Sequence, residues 1–198
     1  MGFSCGLVGL PNAGKSTLFA ALTGTDTLIA PYPFSTLAPR KGVVPVPDPR
    51  LEALAGLLSP AKVTPATLEV VDVAGLVEGA SRGEGLGNQF LSHIRGVDAL
   101  LQVVRCFSAS QVPHVAGEPN PRRDAEIVNT ELLLADLDVV ERRLEHVRKA
   151  ARTEPKAYRA ELTLLERCQE TLARGEAIRA ARGLAEGDLA LLKAWGLL

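Results

Sequence analysis

The sequence predicts an α/β fold, a mainly parallel sheet interleaved with helices and carrying an inserted α-helical hairpin. Apolar runs at Phe3–Val8, Thr67–Val73 and Asp98–Val104 have the composition of buried strands and alternate with helical or loop stretches. The segment GLPNAGKST lies where the first strand feeds a helix. From about Asp124 the composition turns helical, with apolar residues alternating at spacings of four and three. At 198 residues and 46% hydrophobic content, the chain can bury a sizeable core.

The elements follow in order. Phe3–Val8 is the first strand, and Ser16 to Leu22 begins the first helix. Residues 25–42 carry prolines at 31, 33 and 39 and cannot continue that helix, so they form a loop. Gly42–Val46 and Thr67–Val73 read as strands flanking a short helical excursion, an edge hairpin beside the first strand. Residues 74–94 are glycine-rich and then helical, and Asp98–Val104 is a further buried strand.

In the helical region Leu133, Leu137, Val140, Leu144, Val147 and Ala151 form a heptad seam. Pro155 interrupts it, because proline is tolerated only in a helix's first turn. A second helix carries Tyr158, Leu162, Leu165, Gln169 and Leu172 on one stripe, and shorter helices continue to about Trp195. Both stripes read as core packing of an antiparallel hairpin, closed within one chain, so a monomer is expected. At its tip Arg148, Lys149, Arg152, Lys156 and Arg159 crowd together with only Glu154 opposing, either a solvated face or a contact for ribosomal RNA.

Net charge is −1, so any nucleic-acid contact must come from such a local patch. Cys5, Cys106 and Cys168 are odd in number, match no metal-ligand spacing and read as buried thiols of a reducing, cytoplasmic compartment. No run approaches the roughly 18 apolar residues of a membrane span, and Gly6 occupies the position where a myristoylation signal needs Ser or Thr.

The spacing of Gly9, Gly14, Lys15 and Ser16 fits the phosphate-binding pattern G-x-x-x-x-G-K-[ST]. Unpaired backbone N–H groups of Asn12, Ala13, Gly14, Lys15, Ser16 and Thr17, at the positive end of a helix, suit the phosphates of a nucleoside triphosphate. Lys15 would reach the β- and γ-phosphates, and the Ser16 hydroxyl would ligate Mg2+. Asp72, ending a buried strand, would hold the magnesium directly or through water, since a buried charge needs a partner. Gly75 completes D-x-x-G, a position whose N–H senses the γ-phosphate in switch-type NTPases. Thr36 is the candidate for a second magnesium contact, with Ser35 a weaker competitor.

Four segments, GLPNAGKSTLFAALT, YPFSTLAPRKGVVPVPDPRL, DVAGLVEGASRGEGLGNQFL and HIRGVDALLQVVRCF, resemble the YchF / Obg-like ATPase family of translation-factor-related P-loop NTPases. The resemblance covers the whole chain. It implies a Ras-like nucleotide domain interrupted by a coiled-coil insertion, a preference for ATP over GTP, and association with ribosomes. It also supports Thr36 as the family's magnesium-contacting threonine.

Two departures stand out. Ras-type enzymes place a water-orienting glutamine after the D-x-x-G glycine, and here Leu76 stands there, which cannot align water. The resemblance points to His114 instead, in the loop QVPHVAGEPNP, since an imidazole is a side chain able to handle protons near neutral pH. The base-reading motifs N-K-x-D and N-x-x-E are absent from any suitable place, and family members continue into a TGS domain. The expectation is therefore the N-terminal portion of a longer protein, with residues 1–123 in the nucleotide domain and 124–198 in the helical insertion. An Obg-type GTPase, or a nucleotide-gated ribosome-binding module with incidental hydrolysis, stays open beside the ATPase.

Overall fold

The computed structural model describes residues 2–25, 39–73, 75–76, 79, 92–109, 112–181 and 183–197. The chain forms two compact units, Met1–Val77 with Val97–Ala125, and Glu78–Gly96 with Glu126–Leu198.

In the first unit, strand β1 (Phe3–Val8) is followed by helix α1 (Lys15–Thr23), β2 (Arg40–Pro45), α2 (Pro49–Leu58), β3 (Thr67–Asp72) and β4 (Ala99–Gln102). The sheet order is β2-β3-β1-β4. Strand β1 is parallel to both neighbours, while β2 runs antiparallel to β3 at the edge. The expected edge hairpin is therefore present. Its first strand begins at Arg40 instead of Gly42, because the antiparallel ladder pairs Arg40 with Asp72. Helix α2 is the short helical excursion. Asp48 starts it by accepting the Arg50 N–H at 3.0 Å, and Pro49 occupies the first turn, where its missing N–H costs nothing.

Leu7, Phe19, Val44 and Val70 form a core between the sheet and α1. Burying one such side chain is worth about 1.5–3 kcal/mol, so this small cluster is enough to fix the register of β1 against β3. That register sets Leu7 opposite Asp72 and brings the ends of both strands to the same edge of the sheet as the loop after β1.

In the second unit the chain turns between α3 (Pro121–Ala151), whose first residues belong to the first unit, and α4 (Pro155–Ala173). Helix α3 begins three residues before the expected Asp124. Asn120 accepts the Arg123 N–H at 3.1 Å and Pro121 opens the first turn, an N-terminus built outside the apolar periodicity. Val140, Leu144 and Val147 of α3 pack with Leu164, Leu165, Cys168 and Leu172 of α4, and Leu133, Leu137, Tyr158 and Leu162 flank them. Ile178, in a short 3-10 turn, and Leu192, on α5 (Glu186–Ala194), close this core. Arg143 bridges Glu161 across the hairpin at 2.7 Å and lies over the Trp195 ring at 4.5 Å.

Two expectations need correction. Cys168 is fully buried, and that burial pushes its thiol up to about 11, but Cys5 is only half-buried and Cys106 is exposed. At the hairpin tip Glu154 is not the only opposing charge: Arg148 meets Glu166 at 3.3 Å, and Lys149 meets Glu145 one turn earlier at 2.7 Å. Among the described residues, no helix is long and apolar enough to cross a membrane.

Candidate functional site

The loop from Gly9 to Gly14 connects β1 to α1. Gly9 has no room for a side chain, because a Cβ there would lie 2.3 Å from the carbonyl oxygen of Val103, the residue after β4. Asn12 takes the left-handed conformation with φ 61°, which asparagine tolerates better than most residues. Its side-chain amide donates to the Pro113 carbonyl at 3.0 Å. Ala13 is buried, and Gly14 caps α1 and accepts the first helical hydrogen bond, from the Leu18 N–H at 2.9 Å. The N–H groups of Lys15, Ser16 and Thr17 then belong to the first turn of α1, which has no intrahelical acceptors for them. Thr17 is exposed beside them.

Lys15 is 6% exposed. Its ammonium donates to the carbonyls of Gly9 and Leu10 at 3.0 and 2.9 Å. Burial lowers its pKa to about 8, a shift that the negative charge of Asp72 partly opposes. The Ser16 hydroxyl donates to Asp72 Oδ2 at 2.7 Å. Asp72 is fully buried, and its other oxygen, Oδ1, has no hydrogen-bond partner among the described residues.

That buried, unpartnered carboxylate oxygen beside a serine hydroxyl is the chemistry a magnesium ion requires. Mg2+ takes hard oxygen ligands and uses one or two protein groups together with phosphates and water. The Ser16 hydroxyl and the Asp72 carboxylate supply two such oxygens side by side. Thr36, and its competitor Ser35, lie outside the described residues.

Gly75 is packed against Pro11, where a Cβ would come within 2.9 Å of the proline backbone. The next residue, Leu76, is fully buried and donates its N–H to the Gly9 carbonyl at 3.0 Å. The D-x-x-G segment is thus held directly on the phosphate loop. Leu76 points into packed protein, in keeping with its inability to orient water.

His114 is not a surface histidine, since its side chain is 3% exposed. Its Nε2 donates to Asp124 Oδ2 at 3.0 Å, and its Nδ1 accepts the Ala116 N–H at 3.2 Å. The structure therefore brings Lys15, Ser16, Asp72 and Gly75 together around the loop and places His114 beside them, held by Asp124.

Among the described residues, four buried charged side chains were not singled out from the sequence: Arg105, Asp124, Glu131 and Asp136. Asp124, read there only as the start of a helix, is 3% exposed and also binds Arg123 at 2.9 Å. Arg105 is 2% exposed just past β4; like Asp72 it is a charge following an apolar run, and it is equally in need of a partner. In the second unit, Glu131 is 4% exposed and accepts the Gly79 N–H at 2.6 Å.

A family model described as 50S ribosome-binding GTPase matches residues 4–151. A protein of Escherichia coli O157:H7 described as "Ribosome-binding ATPase YchF" is 52% identical over 191 residues, covering 96% of this chain and 53% of the relative. The chain belongs to the 50S ribosome-binding GTPase family, in its YchF branch. The YchF protein of Bacillus subtilis is 49% identical over 170 residues, covering 86% of this chain and 46% of its own length. The structure of the Schizosaccharomyces pombe YchF GTPase superposes with a TM-score of 0.76 at 39% identity, over 98% of this chain and 53% of that one. The chain spans about half the length of the YchF relatives it matches.

Proposed function

We propose that this chain is the nucleotide-binding part of a magnesium-dependent switch that hydrolyses ATP to ADP and phosphate and associates with ribosomes in the cytoplasm. The observation that carries the reading is the Ser16 hydroxyl 2.7 Å from a buried Asp72 carboxylate at the foot of a phosphate loop. The N–H groups from Asn12 to Thr17 cradle the phosphates, and Lys15 turns its ammonium from the Gly9 and Leu10 carbonyls toward the β- and γ-oxygens. Ser16 and Asp72 hold magnesium, with Thr36 as a further contact. Bound there, magnesium neutralises charge developing on the transferred phosphoryl group. Gly75 and Leu76, seated on Pro11 and Gly9, register whether a γ-phosphate is present. The helical region from residue 124 is an insertion that displays this state to a partner, and the chain acts as a monomer.

GTP is the alternative substrate, favoured by the description of the matching family and of the fission-yeast structure. Titration of labelled ATP and GTP in the presence of magnesium tests the reading. Binding of ATP in preference to GTP is expected; preference for GTP moves the chain to the Obg-type GTPases, and absence of binding to either refutes the proposal.

His114 is proposed as the group that aligns the attacking water in place of the glutamine that Leu76 replaces. The ring must leave Asp124 to do so, because both its nitrogens are occupied. His114→Ala is expected to slow single-turnover hydrolysis about 100-fold while ATP still binds. An unchanged rate removes His114 from the reaction.

The ribosomal contact is proposed at the hairpin tip. The side chains of Arg152, Lys156 and Arg159 make no hydrogen bond or ion pair among the described residues, whereas Arg148 and Lys149 are paired. Reversing the charge of the three unpaired residues is expected to weaken co-sedimentation with ribosomes and to flatten its salt dependence, by a slope of about 0.7 to 0.9 for each phosphate no longer neutralised. Unaltered pelleting excludes the tip.

A further inference from the structure

Arg105 is a buried cation whose acceptors are backbone carbonyls. Its Nε donates to the Phe107 carbonyl at 3.1 Å, Nη1 to Val112 at 3.0 Å and Nη2 to Ala109 at 3.2 Å, while its guanidinium carbon lies 5.0 Å from the Phe107 ring centre. A buried charge without a carboxylate partner is costly, and it persists where each of its nitrogens finds an acceptor. Here the planar fork collects the carbonyls of Phe107, Ala109 and Val112 and so ties those three residues together. The residue after Val112 is Pro113, whose carbonyl receives the Asn12 amide at 3.0 Å. His114 follows, anchored on Asp124 at 3.0 Å. The void left among Leu10, Ala13, Val103, Arg105, His114 and Asp124 is only ≈ 10 Å3, so the arrangement closes on the phosphate loop with room for one water at most.

We propose that Arg105 is a positioning residue for nucleotide binding. It holds Pro113 where that carbonyl grips Asn12, and Asn12 in turn holds the left-handed turn at φ 61° that aims the phosphate-loop N–H groups. The proposal rests on the reading that this loop binds a nucleoside triphosphate. Lysine cannot replace the arginine, because a single ammonium on a flexible stem lacks the planar fork that spans three carbonyls. Arg105 touches no reacting atom, so its loss acts on ground-state binding more than on the chemical step.

The test is a double-mutant cycle in the 198-residue chain, read by titration with a fluorescent ATP analogue and by steady-state hydrolysis. Arg105→Gln, Arg105→Lys and Asn12→Ala are each expected to weaken binding about 10-fold and to raise KM by a similar factor with kcat within about twofold. Arg105→Gln combined with Asn12→Ala is expected to bind no more weakly than Asn12→Ala alone. Additive losses, reaching about 100-fold in the double variant, overturn the proposal because Arg105 would then act by another route. So does wild-type affinity in either Arg105 variant. Should both Arg105 variants lose cooperative unfolding, unchanged affinity in Asn12→Ala still overturns the proposal, because that variant removes the amide through which Arg105 would act while leaving the guanidinium and its carbonyls in place. Failure of the wild-type chain to bind the analogue refutes the underlying nucleotide reading and is seen before any variant is compared.

Discussion

Lys15→Met is expected to fold but neither to bind nucleoside triphosphate with useful affinity nor to hydrolyse it. Methionine keeps the length and apolar stem of the lysine, so the core around α1 stays filled. What disappears is the one cation that the phosphate loop carries in its own sequence, together with its two hydrogen bonds at 3.0 and 2.9 Å. Removing a single preorganised donor from a water-poor site costs about 10²- to 10³-fold in rate, and here binding falls as well because the ground-state triphosphate uses the same contact. Equilibrium titration and single-turnover hydrolysis measure both losses; a variant that keeps wild-type affinity refutes the role given to Lys15.

The same residue leaves a mark on stability without nucleotide. Burial lowers the Lys15 pKa in the folded chain from 10.5 to about 8, so between those values the unfolded chain binds more protons than the folded one. Stability therefore rises with pH across that window, as linkage requires when the unfolded state is the more protonated. Thermal melts of the nucleotide-free chain should show wild type gaining on Lys15→Met from about pH 8 to about pH 10.5. Parallel curves for the two proteins contradict the burial argument.

The parts that could be read in advance are those whose physics is local in sequence. The strand, loop and helix around Gly9–Ser16 follow from spacing, and Asp72 follows from the rule that a charge ending a buried strand needs a partner. The helical hairpin follows from apolar periodicity and from Pro155. Arg105, His114 and Asp124 were harder because their partners are not periodic. Three of them are carbonyls of an irregular loop, and the fourth contact is made only when that loop meets the start of α3. The hairpin tip shows the same division. The Glu145–Lys149 pair is a one-turn helical spacing visible in the sequence, whereas the pairing of Arg148 with Glu166 depends on the register between two helices. Cys5, Cys106 and Cys168 share a residue type but not an environment, and only the packing separates the buried thiol from the exposed one.

Asp72→Asn should abolish magnesium-dependent hydrolysis while leaving the nucleotide-free protein at least as stable. Asp72 is fully buried, yet only Oδ2 is bonded, to Ser16, and Oδ1 has no hydrogen-bond partner among the described residues. An unsatisfied buried acceptor costs about 1–3 kcal/mol and more when charged, so the resting fold carries a penalty here that a neutral side chain of the same shape relieves. Lys15 offsets part of it, since the charge of Asp72 acts to raise the lysine pKa. The remaining penalty is what a divalent cation bound at the proposed site would remove, and an amide, with one neutral oxygen, would offset far less of the cost of holding that cation. Hydrolysis at saturating ATP should fall by about 10²-fold or more, and the magnesium concentration for half-maximal activity should rise. Thermal melting without nucleotide separates this from damage to the fold: a Tm equal to or above wild type with lost magnesium dependence supports the assignment. Retained magnesium dependence would show that the ion is held elsewhere, and a much lower Tm would show that the Ser16–Asp72 bond serves the fold of the loop.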